Sequence, residues 1–214
     1  MKNNHVIWDW NGTLLDDFAI TAQITADALA ELGRPGVTPE MVREHYRRPL
    51  SEYFSALLGR IARPDELRHL GEAYERNYDP AMYGLPLAID ALDALSTLAE
   101  RTNQSLLSMA PHGQIEQLIE HHGLGSHFTL VEGFTGTGHP TKRESLERHC
   151  ETLDVNPRAC WLIGDTVDDF AAAAPLGVRT ALVTTGMQGR DALLATGAPV
   201  FDSLADAAGH ILNA

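Results

Sequence analysis

Short apolar runs alternate with longer stretches of helical periodicity along this chain, the pattern of strand and helix units that feed a parallel sheet. Six runs predict strands: His5–Asp9, Ser105–Ala110, Phe128–Glu132, Cys160–Gly164, Thr180–Thr184 and Pro199–Phe201. Each is closed by Gly, Pro or polar residues. Five of the six lie after residue 100. Between the first and the second, from about Leu15 to Gly84, the periodicity predicts helices alone: ITAQITADALAEL, TPEMVREHYRR, LSEYFSALLGRIA and PDELRHLGEAYERNY. Thr38-Pro39-Glu40 and Pro64-Asp65-Glu66 read as helix starts. A purely helical block cannot belong to the sheet. The chain therefore predicts a doubly wound α/β core domain, residues 1–15 and 85–214, interrupted by an all-helical domain over 16–84. After Pro86, AIDALDALSTLAERT predicts a helix leading back into the core, and AAAA at 171–174 a helix packed closely on the sheet.

Composition narrows the function classes. Lys and Arg number 16 against 29 Asp and Glu, a formal net charge of −13 over 214 residues. Affinity for nucleic acid is carried by cations that neutralise phosphates, so no nucleic-acid partner is expected. At 44% hydrophobic and 21% charged the chain can bury a core. No segment reaches the roughly 20 apolar residues of a membrane span. The opening MKNNHVIWDW lacks the basic and apolar regions of a secretory signal, so a cytoplasmic protein, monomer or homodimer, is expected. Cys150 and Cys160 lack metal-ligand spacing and read as buried thiols.

Ligands of open α/β sheets bind outside the carboxyl ends of the strands. Three predicted strands end there in reactive groups: Asp9 before Trp10-Asn11-Gly12-Thr13, then Ser108, then Gly164-Asp165 with Asp169 four residues on. Singly each has a bland reading: an Asx turn at Asp9, a helix N-cap at Ser108, and, at Lys142, a solvated side chain near a helix start. Together, two strand-end carboxylates side by side repel unless a cation lies between them. Magnesium, which prefers hard oxygen ligands and substrate phosphate, is the natural candidate. Two carboxylates, a hydroxyl, an ammonium group and a Gly-Thr turn could surround one phosphoryl group.

In this order the residues resemble the four motifs of the haloacid dehalogenase-like superfamily. Asp9-Trp10-Asn11-Gly12-Thr13-Leu14 is similar to its first motif, Ser108 to its second, Lys142 to its lysine, and Gly164-Asp165 through Asp169 to its last. The resemblance implies a Rossmann-like core with a helical cap, in the manner of phosphoglycolate phosphatases, and a small phosphorylated metabolite as substrate. It implies that Asp9 is a nucleophile forming an aspartyl-phosphate, and that Asp165, Asp9 and the backbone carbonyl of Asn11 bind Mg²⁺. Thr13, Ser108, Met109 and backbone N–H groups around Asn11 and Gly12 would hold the phosphoryl oxygens, with Lys142 offsetting charge. Asp169 would orient Lys142 or a metal-bound water, Asp168 being a weaker candidate for the same work.

Asn11 departs from the pattern. The family's phosphatases usually carry there a second aspartate that protonates the leaving group, and a carboxamide does not exchange a proton near neutral pH. The chain reads as a slow phosphatase, with two alternatives: metal-independent carbon–halogen hydrolysis, and a phosphate- or partner-binding domain without turnover. Phosphonate cleavage would need a cap lysine, and 15–84 has none. His112 and His139 follow strand-end turns and could supply the missing acid/base, whereas His121 and His122 diverge too far on a helix to chelate one ion. Arg47, with Arg48 beside it at a helix junction, could contact an anionic substrate tail.

Overall fold

The computed structural model describes residues 4–136 and 141–214. Six parallel strands form one sheet in the order β3-β2-β1-β4-β5-β6. They are β1 (Asn4–Trp8), β2 (Thr102–Pro111), β3 (Val131–Phe134), β4 (Cys160–Gly164), β5 (Arg179–Val183) and β6 (Val200–Phe201). The order reverses at β1, which pairs with β2 on one side and β4 on the other, so that Ile7 faces both Ser105 and Leu162. Such a reversal opens a crevice at the strands' carboxyl ends.

Alternation along the strands sorts side chains to two layers. Val6, Trp8, Leu106, Trp161, Ile163, Ala181 and Val183 pack against α5 (Ala91–Ala99), α6 (His112–His121) and α10 (Leu204–Asn213). Ile7, Leu107 and Leu162 face α7 (Lys142–Leu153) and α8 (Val167–Ala173). Of the four consecutive alanines only Ala172 and Ala173 are buried, because a helix turns two of every four residues away from the sheet.

Between β1 and β2 run α1 (Phe18–Glu31), α2 (Pro39–His45), α3 (Leu50–Leu58) and α4 (Pro64–Tyr78). Thr38 caps α2 by accepting from the Met41 N–H, and Glu66 accepts from the Arg63 N–H at the start of α4. These helices bury their own cluster of Phe18, Leu29, Val42, Tyr53, Leu57 and Leu70. The chain enters and leaves this block through adjacent segments: Asp16 N–H donates to Pro86 O at 3.0 Å and Ala88 N–H to Leu14 O at 2.9 Å. α9 (Arg190–Leu194) closes the β5–β6 connection.

Inside the sheet a polar chain crosses from β1 to α7. His5 Nε2 bonds Ser105 Oγ at 2.8 Å, Ser105 Oγ bonds His149 Nε2 at 2.8 Å, and His149 Nδ1 bonds Glu132 Oε2 at 2.5 Å. Ser105 and His149 are wholly buried. Among the described residues no helix is long and apolar enough to cross a membrane.

Candidate active site

Asp9 follows the last residue of β1 and its N–H still donates to Ile163 O at 2.9 Å, so the ladder holds the backbone while the side chain leaves at the sheet's edge. The next turn closes through Thr13 N–H and Leu15 N–H on Trp10 O. Gly12 lies at φ +70°, and a Cβ there would stand 2.3 Å from Asp165 Oδ2. Both facts require glycine.

Lys142 opens α7 behind a reciprocal cap, Thr141 N–H to Glu144 Oε2 and Glu144 N–H to Thr141 Oγ1. An ammonium group at a helix N-terminus works against the helix dipole, and this one is buried as well. Two carboxylates hold it: Nζ lies 2.9 Å from Asp9 Oδ1 and also touches Asp169 Oδ1. Burial opposes its charge, but Asp169 and Asp9 outweigh that cost and hold the ammonium well above its ordinary range. Asp169 is fixed from its other oxygen, which accepts from the Thr166 N–H (2.9 Å) and hydroxyl (2.7 Å) at the start of α8. The apolar strand, the cap and the lysine clamp are thus one construction. Asp168, one residue earlier, is exposed on α8 and takes no part in it.

Asp165 follows β4 and its Oδ2 accepts from Met187 N–H at 2.6 Å. Gly186 admits it, since a Cβ there would lie 1.9 Å from the same oxygen. Asp9, Asp165 and Asp169 bring carboxylate oxygens within 4.8 Å of one another, all three buried. Burial and the neighbouring charge of Asp169 push Asp9 up to about 6 against the pull of Lys142, and burial with repulsion from Asp169 and Asp9 raises Asp165 well above the carboxylate range. Three acids around one ammonium leave negative charge over, and their hard oxygens suit Mg²⁺.

Ser108 is buried and accepts from the Ala110 N–H at 3.1 Å; α6 begins after Pro111 without a side-chain cap, so Ser108 is no helix cap. Thr13 is fully buried and its hydroxyl finds no partner among the described residues, an orphan of the kind a phosphoryl oxygen would satisfy. Met109 beside Ser108 is half-buried. Gly12 N–H is already committed to Asp17 Oδ1 (2.7 Å) and Leu15 O, so what Gly12 offers is space. Asn11 turns its carboxamide to Asp17 and Tyr78.

Arg47 is not brought to the cluster: it is exposed and its Nε donates to His45 O. Arg43, one turn earlier, points inward instead, lying 3.8 Å over the Phe18 ring and donating to Gly186 O and Thr185 O. Gln188 Nε2 returns the contact to Tyr46 O at 3.0 Å. Tyr46 is near enough that, besides burial, the charges of Asp165 and Asp169 help push its phenol up to about 12. His112 is occupied, with Nδ1 accepting from Gly133 N–H and Nε2 3.5 Å from Glu116. His139 lies outside the described residues. Spacing did not flag Arg43, Asp17, Tyr78 or Gln188; of these only Asp17 stood in view, directly after the first motif.

The model of the haloacid dehalogenase-like hydrolase family matches residues 6–183. A phosphoglycolate phosphatase of Synechococcus elongatus is 27% identical over 193 residues, covering 89% of this chain and 88% of that protein. One from Chromobacterium violaceum is 30% identical over 203 residues, with 85% of each covered. A predicted phosphatase from Clostridium acetobutylicum superposes with a TM-score of 0.82 at 19% identity, over 99% of both chains.

Proposed function

The chain belongs to the haloacid dehalogenase-like hydrolase family, and from that premise we propose that it is a Mg²⁺-dependent phosphatase of a small phosphomonoester. Relatives named phosphoglycolate phosphatases support a compact, anionic substrate of that kind. The observation that carries the reading is the buried row Asp9–Lys142–Asp169 with Asp165 beside it at the carboxyl edge of the sheet.

In this reading an Asp9 carboxylate oxygen attacks phosphorus in line. The bond to the ester oxygen breaks, that oxygen takes a proton from solvent water, and the phosphoryl group rests on Asp9 until a second water displaces it as inorganic phosphate. Lys142 keeps Asp9 ionised and offsets charge on the phosphoryl oxygens; Asp169 keeps Lys142 aimed. Thr13 and Ser108 offer hydroxyls to the same oxygens. Mg²⁺, held by Asp9, Asp165 and the Asn11 carbonyl, would supply Lewis-acid stabilisation of the charge in the transition state. Asn11 gives the leaving oxygen no proton, so turnover is expected to be slow. The helical block, residues 16–84, acts as the cap over a core of 1–15 and 85–214, its Arg43 and Tyr46 reaching the 185–188 loop.

Phosphate release from a panel of small phosphomonoesters, with Mg²⁺ and with EDTA, tests this. Release that needs Mg²⁺ and falls at least about 10³-fold in Asp9→Asn is expected. Release that survives Asp9→Asn, or no release from any ester, would sink the phosphatase reading, and the second result would leave a phosphate-binding domain.

A further inference from the structure

The residue that departs from the family's pattern is not idle. Asn11 Nδ2 donates to Asp17 Oδ2 and to the Tyr78 hydroxyl, both at 2.7 Å. The Tyr78 hydroxyl donates to the same Asp17 oxygen at 2.6 Å. Asp17 Oδ1 accepts from Gly12 N–H at 2.7 Å. Asp17 is therefore a buried carboxyl group held by three donors, and among the described residues no cation pairs with it. Two of those donors belong to the turn that follows Asp9, and the third is the last residue of α4, whose ring stacks on Tyr74 at 4.6 Å.

This arrangement accepts a carboxamide at position 11 and rejects a carboxylate. An aspartate of the same shape would set acceptor against acceptor at hydrogen-bond distance and take away the donor that now serves both Asp17 Oδ2 and the Tyr78 hydroxyl. We propose that Asn11 and Asp17 are a matched pair, and that Asp17 and Tyr78 are positioning residues that fix the turn after Asp9 and tie the end of α4 to it. On this view Asn11 is a working part of the site, and restoring the family's aspartate there does damage unless position 17 changes with it. In Asn11→Asp with Asp17→Asn the set is complete again with polarity reversed. The carboxamide now at position 17 would accept from Gly12 N–H and donate to the carboxylate at position 11, which would also accept from Tyr78.

The kinetic arm rests on the phosphatase reading; the stability arm does not. The experiment takes the full chain as wild type, Asn11→Asp, Asp17→Asn, the double variant and Tyr78→Phe. Thermal midpoints are measured in EDTA, and kcat and KM on phosphoglycolate with Mg²⁺. Each single change at 11 or 17 is expected to lower the midpoint by on the order of 5 °C, with the double recovering most of the loss. We expect kcat to fall about tenfold in Asn11→Asp and to recover in the double, a rescue that a merely structural contact would not give. Tyr78→Phe keeps the stacked ring and is expected to lower kcat several-fold with KM within about twofold, because the turn, not the affinity for phosphate, is disturbed. Losses that simply add in the double variant, or an Asn11→Asp protein more active or more stable than wild type, would overturn the pairing. Equal effects of Tyr78→Phe on kcat and KM would overturn its positioning role. If wild type releases no phosphate while the midpoints still recover in the double, the phosphatase reading falls and the pairing stands.

Discussion

Two buried polar clusters share three elements, and they differ in what they leave over. Both draw on β1, β2 and α7: His5 with Ser105 and His149 in the middle of the sheet, Asp9 with Ser108 and Lys142 at its carboxyl edge. His149 follows Lys142 by seven residues, two turns along one face of the helix. In the inner cluster each hydrogen-bonding group hands on to the next, from His5 through Ser105 and His149 to Glu132, and the row ends in a carboxylate that is itself engaged. It is a Ser-His-Glu row in composition, yet its hydroxyl is sealed from solvent and sits between two imidazoles. The outer cluster has three carboxylates for one ammonium and a buried threonine hydroxyl with no partner among the described residues. A cluster that closes on itself holds a fold together, whereas the outer one carries more acids than cations.

The contrast can be broken from either side. Lys142→Met should have the largest effect on stability, about 3 kcal/mol in a urea titration in EDTA, because it leaves buried carboxylates without their cation. An unchanged midpoint would mean that the outer cluster does not depend on the clamp. Ser105→Ala should cost about 2 kcal/mol by orphaning ring nitrogens of His5 and His149 on either side. It should leave Mg²⁺-dependent phosphate release within about twofold; a large loss of activity would mean the inner row also serves the site.

The smallest and sharpest test is that the two clusters respond to pH with opposite sign. Asp165 is raised by burial and by its neighbours' charge, and Asp9 stands at about 6. What protonation adds to stability there is present at low pH and is lost as pH rises, through about 6 for Asp9 and above the ordinary carboxylate range for Asp165. His5 is lowered from 6.5 to about 4 by burial and the nearby His149, so its contribution is complete above about 6.5 and is lost as pH falls towards 4. In EDTA, Asp165→Asn should therefore raise the thermal midpoint more at high pH than at low pH, and His5→Gln should flatten the fall in midpoint between pH 6.5 and 4. Parallel shifts at all pH values would refute both assignments.

Much of this was legible in the sequence because the chemistry sits at strand ends and helix starts, where local pattern is strongest. Asp9, Lys142, Asp165 and Asp169 each end an apolar run or open a helix, and the structure brings the four together. The strands fell close to where the apolar runs placed them except β2, expected at Ser105–Ala110 and found at Thr102–Pro111, and β3, expected at Phe128–Glu132 and found at Val131–Phe134. The earlier residues nonetheless reach β2, with Thr129 N–H on Gln104 O and Leu106 N–H on Leu130 O, so the run marks the edge contact more than the ladder itself. Helix ends were overrun, α3 stopping at Leu58 where periodicity carried it to Ala62. Lys142 was easily mistaken for a solvated side chain, since nothing within its own helix predicts two carboxylates from β1 and α8. Position 43 rather than 47 reaches the core because the contact spans 143 residues of sequence, and Tyr78 meets Asn11 across 67. Spacing within a motif carries no information about such partners.

The side-by-side crossings at Asp16–Pro86 and Leu14–Ala88 have a consequence in chain statistics. In loop closure what counts is the distance between the two ends, which here are neighbours. Holding the ends of a loop together costs only about 0.6 kcal/mol more for each doubling of its length. Closure itself therefore sets little limit on the length of the excursion, and what ties it to the carboxyl edge is a few particular contacts, Tyr78 with Asn11 and Arg43 with the backbone of Thr185 and Gly186.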